Sequence, residues 1–220
     1  MPPLVEQFLG FLAAFLVGGI PFGFLVAKGR AGIDIREHGS GNIGATNVGR
    51  VLGLPYFFLV FVLDFLKGAL PVLASIGIQE SQRDASGMIS ANALYLPEVA
   101  ALAAVLGHLF PIYLRFRGGK GVATTIGALL PLAPIPLICG LVTWCLLVLT
   151  TRMVSVGSIG FAIVFAVAHF LFVSAPFARE SLGLTVLVLA AACLVIVRHR
   201  ENISRILRGT ESKVRLPWAK

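Results

Sequence analysis

The chain has 220 residues, of which 57% are hydrophobic and 13% charged, with a formal net charge of +8 at pH 7. A soluble domain carries about 25% charged residues, so this composition excludes a soluble enzyme or nucleic-acid binder and predicts an integral membrane protein. In hydrocarbon an unpaired backbone group has no partner, so apolar runs of spanning length are helices and the expected class is all-α and polytopic. Cys139, Cys145 and Cys193 lie in apolar runs without metal-ligand or C-x-x-C spacing. They read as buried thiols, implying neither a disulfide nor a metal site. No basic region precedes Leu4, so no cleaved signal peptide is expected.

The first apolar run is Leu4–Ala27, ended by Lys28-Gly29-Arg30 and a polar, glycine-rich segment through Arg50. Val51–Ile78 follows, interrupted by Asp64 and Lys67, then a polar loop, Gln79–Asn92. Ala93–Leu114 is the third run. Val122–Thr150, at 29 residues, exceeds one span of about 20 residues and falls short of two. Pro131, Pro134 and Pro136 make a turn within it plausible, giving either one kinked helix or two short ones. Met153–Val173 and Leu182–Val197 complete the set, and a basic tail follows.

Charge decides between these alternatives. Seven spans with the N-terminus outside place Lys28, Arg30, Arg36, Arg50, Arg115, Arg117, Lys120, Arg152 and the seven Lys and Arg residues of the tail on the cytoplasmic face. Only Arg83 and Arg179 then lie outside. Six spans would put the tail outside, against the positive-inside rule. The expected architecture is one membrane domain over 1–220 with seven transmembrane helices. Two are short, Val122–Leu130 and about Ile135–Thr150, and the C-terminus is cytoplasmic.

Under this topology three polar clusters share one face: Gly39–Arg50, Gly107–Thr125 and Arg198–Glu211. Their convergence suggests an anion pocket. In the second, Gly118, Gly119 and Gly121 free backbone N–H groups to turn toward an anion, and Lys120 adds a positive charge. Val122 opens a helix whose N-terminus favours negative charge. This is not a Walker A loop, because Lys120 is followed by glycine and position 114 is Leu. A turn with a topology-setting charge is the plainer alternative.

The first cluster offers Ser40, Asn42, Thr46, Asn47 and Arg50, donors suited to phosphate oxygens; a flexible turn-rich loop is the alternative. In the third, His199 and Asn202 stand three apart, on one face of a continuing helix. Arg205, Arg208, Lys213 and Arg215 read better as an interfacial basic helix held by anionic lipid. Asp64 and Lys67 read as a structural pair facing the bundle interior, an ion pathway being the sharper option. His108 reads as a packed histidine near the Lys120 loop, His38 as solvated, and His169 is given no role.

The sequence resembles the PlsY-type acyl-phosphate:glycerol-3-phosphate acyltransferases of the bacterial inner membrane. The residues that carry the resemblance are Ser40-Gly41-Asn42-Ile43-Gly44-Ala45-Thr46-Asn47 with Arg50, the segment GHLFPIYLRFRGGKGVAT, and His199-Arg200-x-Asn202-Ile203 followed by Gly209 and Glu211. Arg117 stands where the family usually has Lys, keeping the charge. The resemblance implies acyl transfer from acyl phosphate to the 1-hydroxyl of glycerol 3-phosphate, giving lysophosphatidic acid and phosphate, the first acylation of phospholipid synthesis. No metal, organic cofactor, nucleic acid or obligate protein partner is implied, beyond the two substrates and membrane lipid. By analogy Ser40, Arg50, Lys120, His199 and Asn202 carry catalysis. Asn42, Thr46, Asn47, Arg50, Gly118, Gly119, Lys120, Gly121 and Glu211 then bind substrate, at a site facing the cytoplasm.

The residues fit that chemistry, since two phosphorylated substrates require paired cations and backbone donors. The H-x4-D pattern of other glycerol-phosphate acyltransferases is missing: Ile43, Tyr113, Ser174 and Ser204 stand where the aspartate would. The competing class is a permease for a small phosphorylated anion, against which stands the lack of an inverted repeat. A lipid-binding scaffold would explain the tail alone.

Overall fold

In a computed structural model the described residues are 3–90 and 92–214. Arg215, assigned above to the basic tail, lies outside them. The chain divides into two compact units, Met1–Leu132 and Ala133–Lys220. The described residues are helical apart from turns and one isolated bridge, Arg83 to Ile89. Among the described residues six helical stretches are long and apolar enough to cross a membrane: Gln7–Ala31, Leu54–Ser81, Leu96–Leu114, Pro134–Thr151, Val154–Phe172 and Arg179–Arg198.

The first unit holds α1 (Pro3–Gly19), α2 (Phe22–Ala31), α3 (Ala45–Leu52), α4 (Leu54–Ser81), α5 (Leu96–Leu109) and α6 (Val122–Leu129). The first apolar run is split between α1 and α2 because Pro21 lacks an N–H and cannot continue a helix from Gly19. Gly53, at φ 101°, separates α3 from α4. α4 runs on through Gln79–Ser81, expected to be loop, and Gln79 Nε2 donates to the Ala93 and Leu94 carbonyls at 2.9 and 2.8 Å. α6 has eight residues. At 1.5 Å per residue it is about 12 Å long, well short of the ~30 Å hydrocarbon core.

Close backbone approach holds this unit together. A Cβ at Gly18 would fall on the Ala104 carbonyl, and one at Gly107 on the Phe15 carbonyl, so α1 and α5 meet through small residues. The same holds between α4 and α6, where Gly68 lies against the Thr124 carbonyl and Gly127 against that of Phe65. With lipid outside, helices associate by such packing rather than by a hydrophobic drive. The outer faces are correspondingly apolar, as at Phe8, Leu54, Phe58 and Leu70.

The second unit holds α7 (Pro134–Thr151), α8 (Val154–Phe172), α9 (Arg179–Arg198) and α10 (Arg200–Leu207). Gly140 packs on the Phe161 ring and Gly157 on Trp144, closing α7 on α8. His169 is fully buried and bonds through Nε2 to Thr185 Oγ1 at 2.8 Å, while that hydroxyl donates to the Pro176 carbonyl at 2.6 Å. It therefore ties the end of α8 to the turn before α9. Cys145 and Cys193 are exposed and Cys139 is half-buried, correcting the expectation of buried thiols. On a membrane helix an apolar thiol faces hydrocarbon as readily as protein.

Gly68→Leu is expected to destabilise the first unit by about 1–3 kcal/mol through overpacking. Gly77→Leu on the same helix meets nothing within 4 Å and should leave stability unchanged. Thermal unfolding of both variants in detergent checks this.

Candidate active site

The Ser40–Arg50 segment is folded on itself by its own side-chain hydrogen bonds. Asp34 accepts the Arg36 N–H at 3.0 Å and starts the 3-10 turn Ile35–Glu37. Its carboxylate also takes two bonds from the Arg36 guanidinium, at 2.6 and 2.9 Å, and the Arg36 hydrogen bonds hold its pKa down at about 2.

The turn presents carbonyls to Asn47, whose side chain is the hub of the segment. Asn47 Oδ1 accepts the Ser40 N–H at 2.8 Å, and Nδ2 donates to the carbonyls of Ile35, His38 and Asn42 at 3.3, 2.9 and 2.9 Å. Asn42 Oδ1 accepts the Gly44 N–H at 2.8 Å, forming the turn that leads into α3. Thr46 lies in the first turn of α3, while Ser40 and Arg50 are exposed. The asparagines thus shape a frame whose exposed side chains are a hydroxyl and a guanidinium.

The Lys120 loop is seated on the C-terminal end of α5. Its entry is tight: Arg115 and Phe116 take left-handed φ values of 53° and 62°, and the Phe116 N–H bonds the Pro111 carbonyl at 2.9 Å. Such conformations are unfavourable for non-glycine residues, so the surrounding turn holds them. Gly119 N–H donates to the His108 carbonyl at 3.2 Å. A Cβ at Gly118 would overlap the His108 and Leu109 carbonyl oxygens, and one at Gly119 the His108 ring. Gly121, at φ 81°, caps α6, so the first N–H groups of that helix follow directly on the half-buried Lys120. Leu114, at the head of the loop, is buried in the same core as Ile43, Ala45 and Val48. One apolar cluster therefore seats both polar segments of the first unit.

In the second unit His199 lies between α9 and α10, where a continuing helix was expected. The break is one residue wide. His199 N–H still bonds the Val195 carbonyl at 3.1 Å, and its own carbonyl accepts the Ile203 N–H at 2.9 Å. His199 and Asn202 are 2% and 5% exposed. His199 Nδ1 lies 2.7 Å from the Val195 carbonyl, which can only accept, so Nδ1 carries a proton.

Glu211 binds the segment after α10 back onto the unit. Its Oε1 accepts from Ser155 Oγ at 2.7 Å and Asn202 Nδ2 at 2.6 Å, and its Oε2 from Arg205 Nε at 2.8 Å. Arg205, expected to belong to an interfacial helix, is thus part of this clamp. Ser155 was missed; a serine at the start of an apolar run gives no signal of its own.

Residues 8–209 match the family described as glycerol-3-phosphate acyltransferase. The chain belongs to the PlsY-type glycerol-3-phosphate acyltransferase family. The glycerol-3-phosphate acyltransferase of Synechococcus elongatus is 41% identical over 203 residues, covering 92% of each chain. That of Geobacillus kaustophilus is 40% identical over 210 residues, covering 94% of this chain and 95% of the relative. The crystal structure of PlsY (YgiH), an integral membrane glycerol 3-phosphate acyltransferase, in its glycerol 3-phosphate form superposes with a TM-score of 0.81 at 35% identity. Its lysophosphatidic acid form gives 0.79 at 34%, and each comparison covers 96% of both chains.

Two measurements test the supports of this acyltransferase. Asn47→Ala leaves several loop groups without their partner and should lower stability by about 1–3 kcal/mol, with activity lost through the Ser40 frame. Burial raises the Glu211 pKa, but its bonds to Ser155, Asn202 and Arg205 outweigh this, and the net pKa lies below the ordinary 4.5. A depressed carboxylate pKa stabilises above the unfolded value, and that stability is lost as pH falls through the folded value. Thermal stability should therefore decline below about pH 4.5, and Glu211→Gln should abolish that part of the decline.

Proposed function

We propose that the protein transfers a fatty acyl group from acyl phosphate to the sn-1 hydroxyl of glycerol 3-phosphate, forming lysophosphatidic acid and phosphate. Family membership supports the acceptor. The observation that carries the donor assignment is the Lys120 loop at the start of α6, alongside a second cationic segment ending in Arg50. Two phosphorylated substrates need two such anion sites, whereas a thioester donor does not present a phosphate at its reacting carbonyl.

In the proposed step the acceptor oxygen bonds to the acyl carbon and the bond from that carbon to the phosphate oxygen breaks. Phosphate leaves with the electron pair, and the hydroxyl proton passes to His199 Nε2, the basic nitrogen of the tautomer fixed by Val195. Arg50 and Lys120 offset phosphate charge, Ser40 and Asn202 orient the reacting groups, and Gly118, Gly119 and Gly121 with Asn42, Thr46 and Asn47 shape the phosphate sites. Glu211 acts on substrate through Asn202. The donor is an activated anhydride, so orientation and charge stabilisation suffice without an acyl-enzyme, metal or cofactor.

The proposed setting is the bacterial inner membrane, as one domain over residues 1–220, without an obligate protein partner. The proposed topology has seven crossings, α6 making a short one with its flanking loops, the N-terminus outside and the active site facing the cytoplasm. The positive-inside rule supports it, because seven crossings keep the basic tail with Arg50 and Lys120.

Purified protein mixed with acyl phosphate and glycerol 3-phosphate should release phosphate and form lysophosphatidic acid, and should be inactive with acyl thioesters. A permease would release none; activity with thioesters alone would overturn the donor assignment. Lys120→Ala should lower kcat/KM at least ~100-fold by removing an electrostatic contact to the transition state. Wild-type turnover in His199→Ala would remove the histidine from the reaction.

A further inference from the structure

Asp64 and Lys67 form an ion pair of 2.7 Å inside α4, with side chains 3% and 2% exposed. Burying two charges is unfavourable, and apolar residues of similar volume commonly replace such pairs without loss of stability. The pair therefore calls for an explanation beyond packing. Its surroundings supply one. Asp64 Oδ1, the oxygen that meets Lys67, also lies 3.8 Å from His108 Nδ1. The His108 ring is the surface on which Gly119 rests, and its carbonyl accepts the Gly119 N–H at 3.2 Å. On the other side Lys67 Nζ donates to the Ile20 carbonyl at 2.7 Å, at the break before Pro21. α2, which begins there, carries Gly23 against the Ile43 carbonyl of the Ser40–Arg50 segment.

We propose that Asp64, Lys67 and His108 are positioning residues that set the Lys120 loop in its anion-binding geometry. Asp64 faces the His108 ring at 3.8 Å, the ring and its carbonyl lie against Gly119, and Gly119 leads directly into Lys120. Through Ile20 the ion pair fixes the start of α2 and so the floor under Ile43. None of the three touches substrate. A displacement of about 1 Å at a reacting group can lower turnover by about 100-fold, so a rigid polar prop has a kinetic consequence that packing alone lacks. The inference rests on the reading of the Lys120 loop as a substrate-phosphate site.

The test is a double-mutant cycle on purified full-length protein. D64L/K67L removes both charges together and leaves no lone ion in the bundle. It is expected to keep the wild-type melting temperature within a few degrees and to lower kcat/KM by about tenfold or more. In a Lys120→Ala background the same change should lower it by less than about twofold, because groups that act as a unit are non-additive. Wild-type turnover in D64L/K67L would overturn the proposal, as would losses that simply multiply with that of Lys120→Ala. Should D64L/K67L not fold, His108→Asn withdraws the ring from Gly119 and is judged in the same cycle by the same two outcomes. The cycle is read with whichever acyl donor the wild-type protein uses, so an error in the donor assignment leaves it readable.

Discussion

The arrangement depends on the contact of a glycine backbone with the end of a helix. Gly118 and Gly119 lie so close to the His108 and Leu109 carbonyls and the His108 ring that any side chain would push the loop away. That contact fixes the path from Lys120 into Gly121 and the first turn of α6. The same principle recurs where α1 meets α5 and α4 meets α6. Lipid offers no advantage to burying apolar side chains, so close backbone packing carries the specificity.

The two glycine-rich polar segments of the first unit are built differently. The Ser40–Arg50 segment is held by side-chain amides, with Asn47 taking the part that a strand partner takes in a sheet. The Lys120 loop is held by backbone and by the absence of side chains. The cluster of Ile43, Val48 and Leu114 beneath them gives both a common base. In the second unit, Glu211 performs an analogous service for Asn202, and the Val195 carbonyl for His199.

Much of this was legible in the sequence, for definable reasons. Composition gave the helical membrane class, because hydrocarbon allows few alternatives. Glycine spacing and Lys120 marked the loop, and Val122 the helix it caps. Three parts were not legible. The break at Ile20-Pro21 sits inside an apolar run where hydropathy is continuous. The engagement of Asn47 with three carbonyls arises from a fold-back that local pattern does not encode. The approach of Asp64 to His108 joins residues 44 positions apart, on α4 and α5, and spacing along one helix reveals only the Lys67 half of it.

The account rests on Arg50 and Lys120 working from the same side of the membrane. Introduce Arg50→Cys and Lys120→Cys separately into protein in which Cys139, Cys145 and Cys193 are alanine, and treat vesicles of each orientation with a membrane-impermeant maleimide. Labelling of both positions in inside-out vesicles, and of neither in right-side-out ones, is the predicted result. Labelling of the two positions from opposite sides would contradict it.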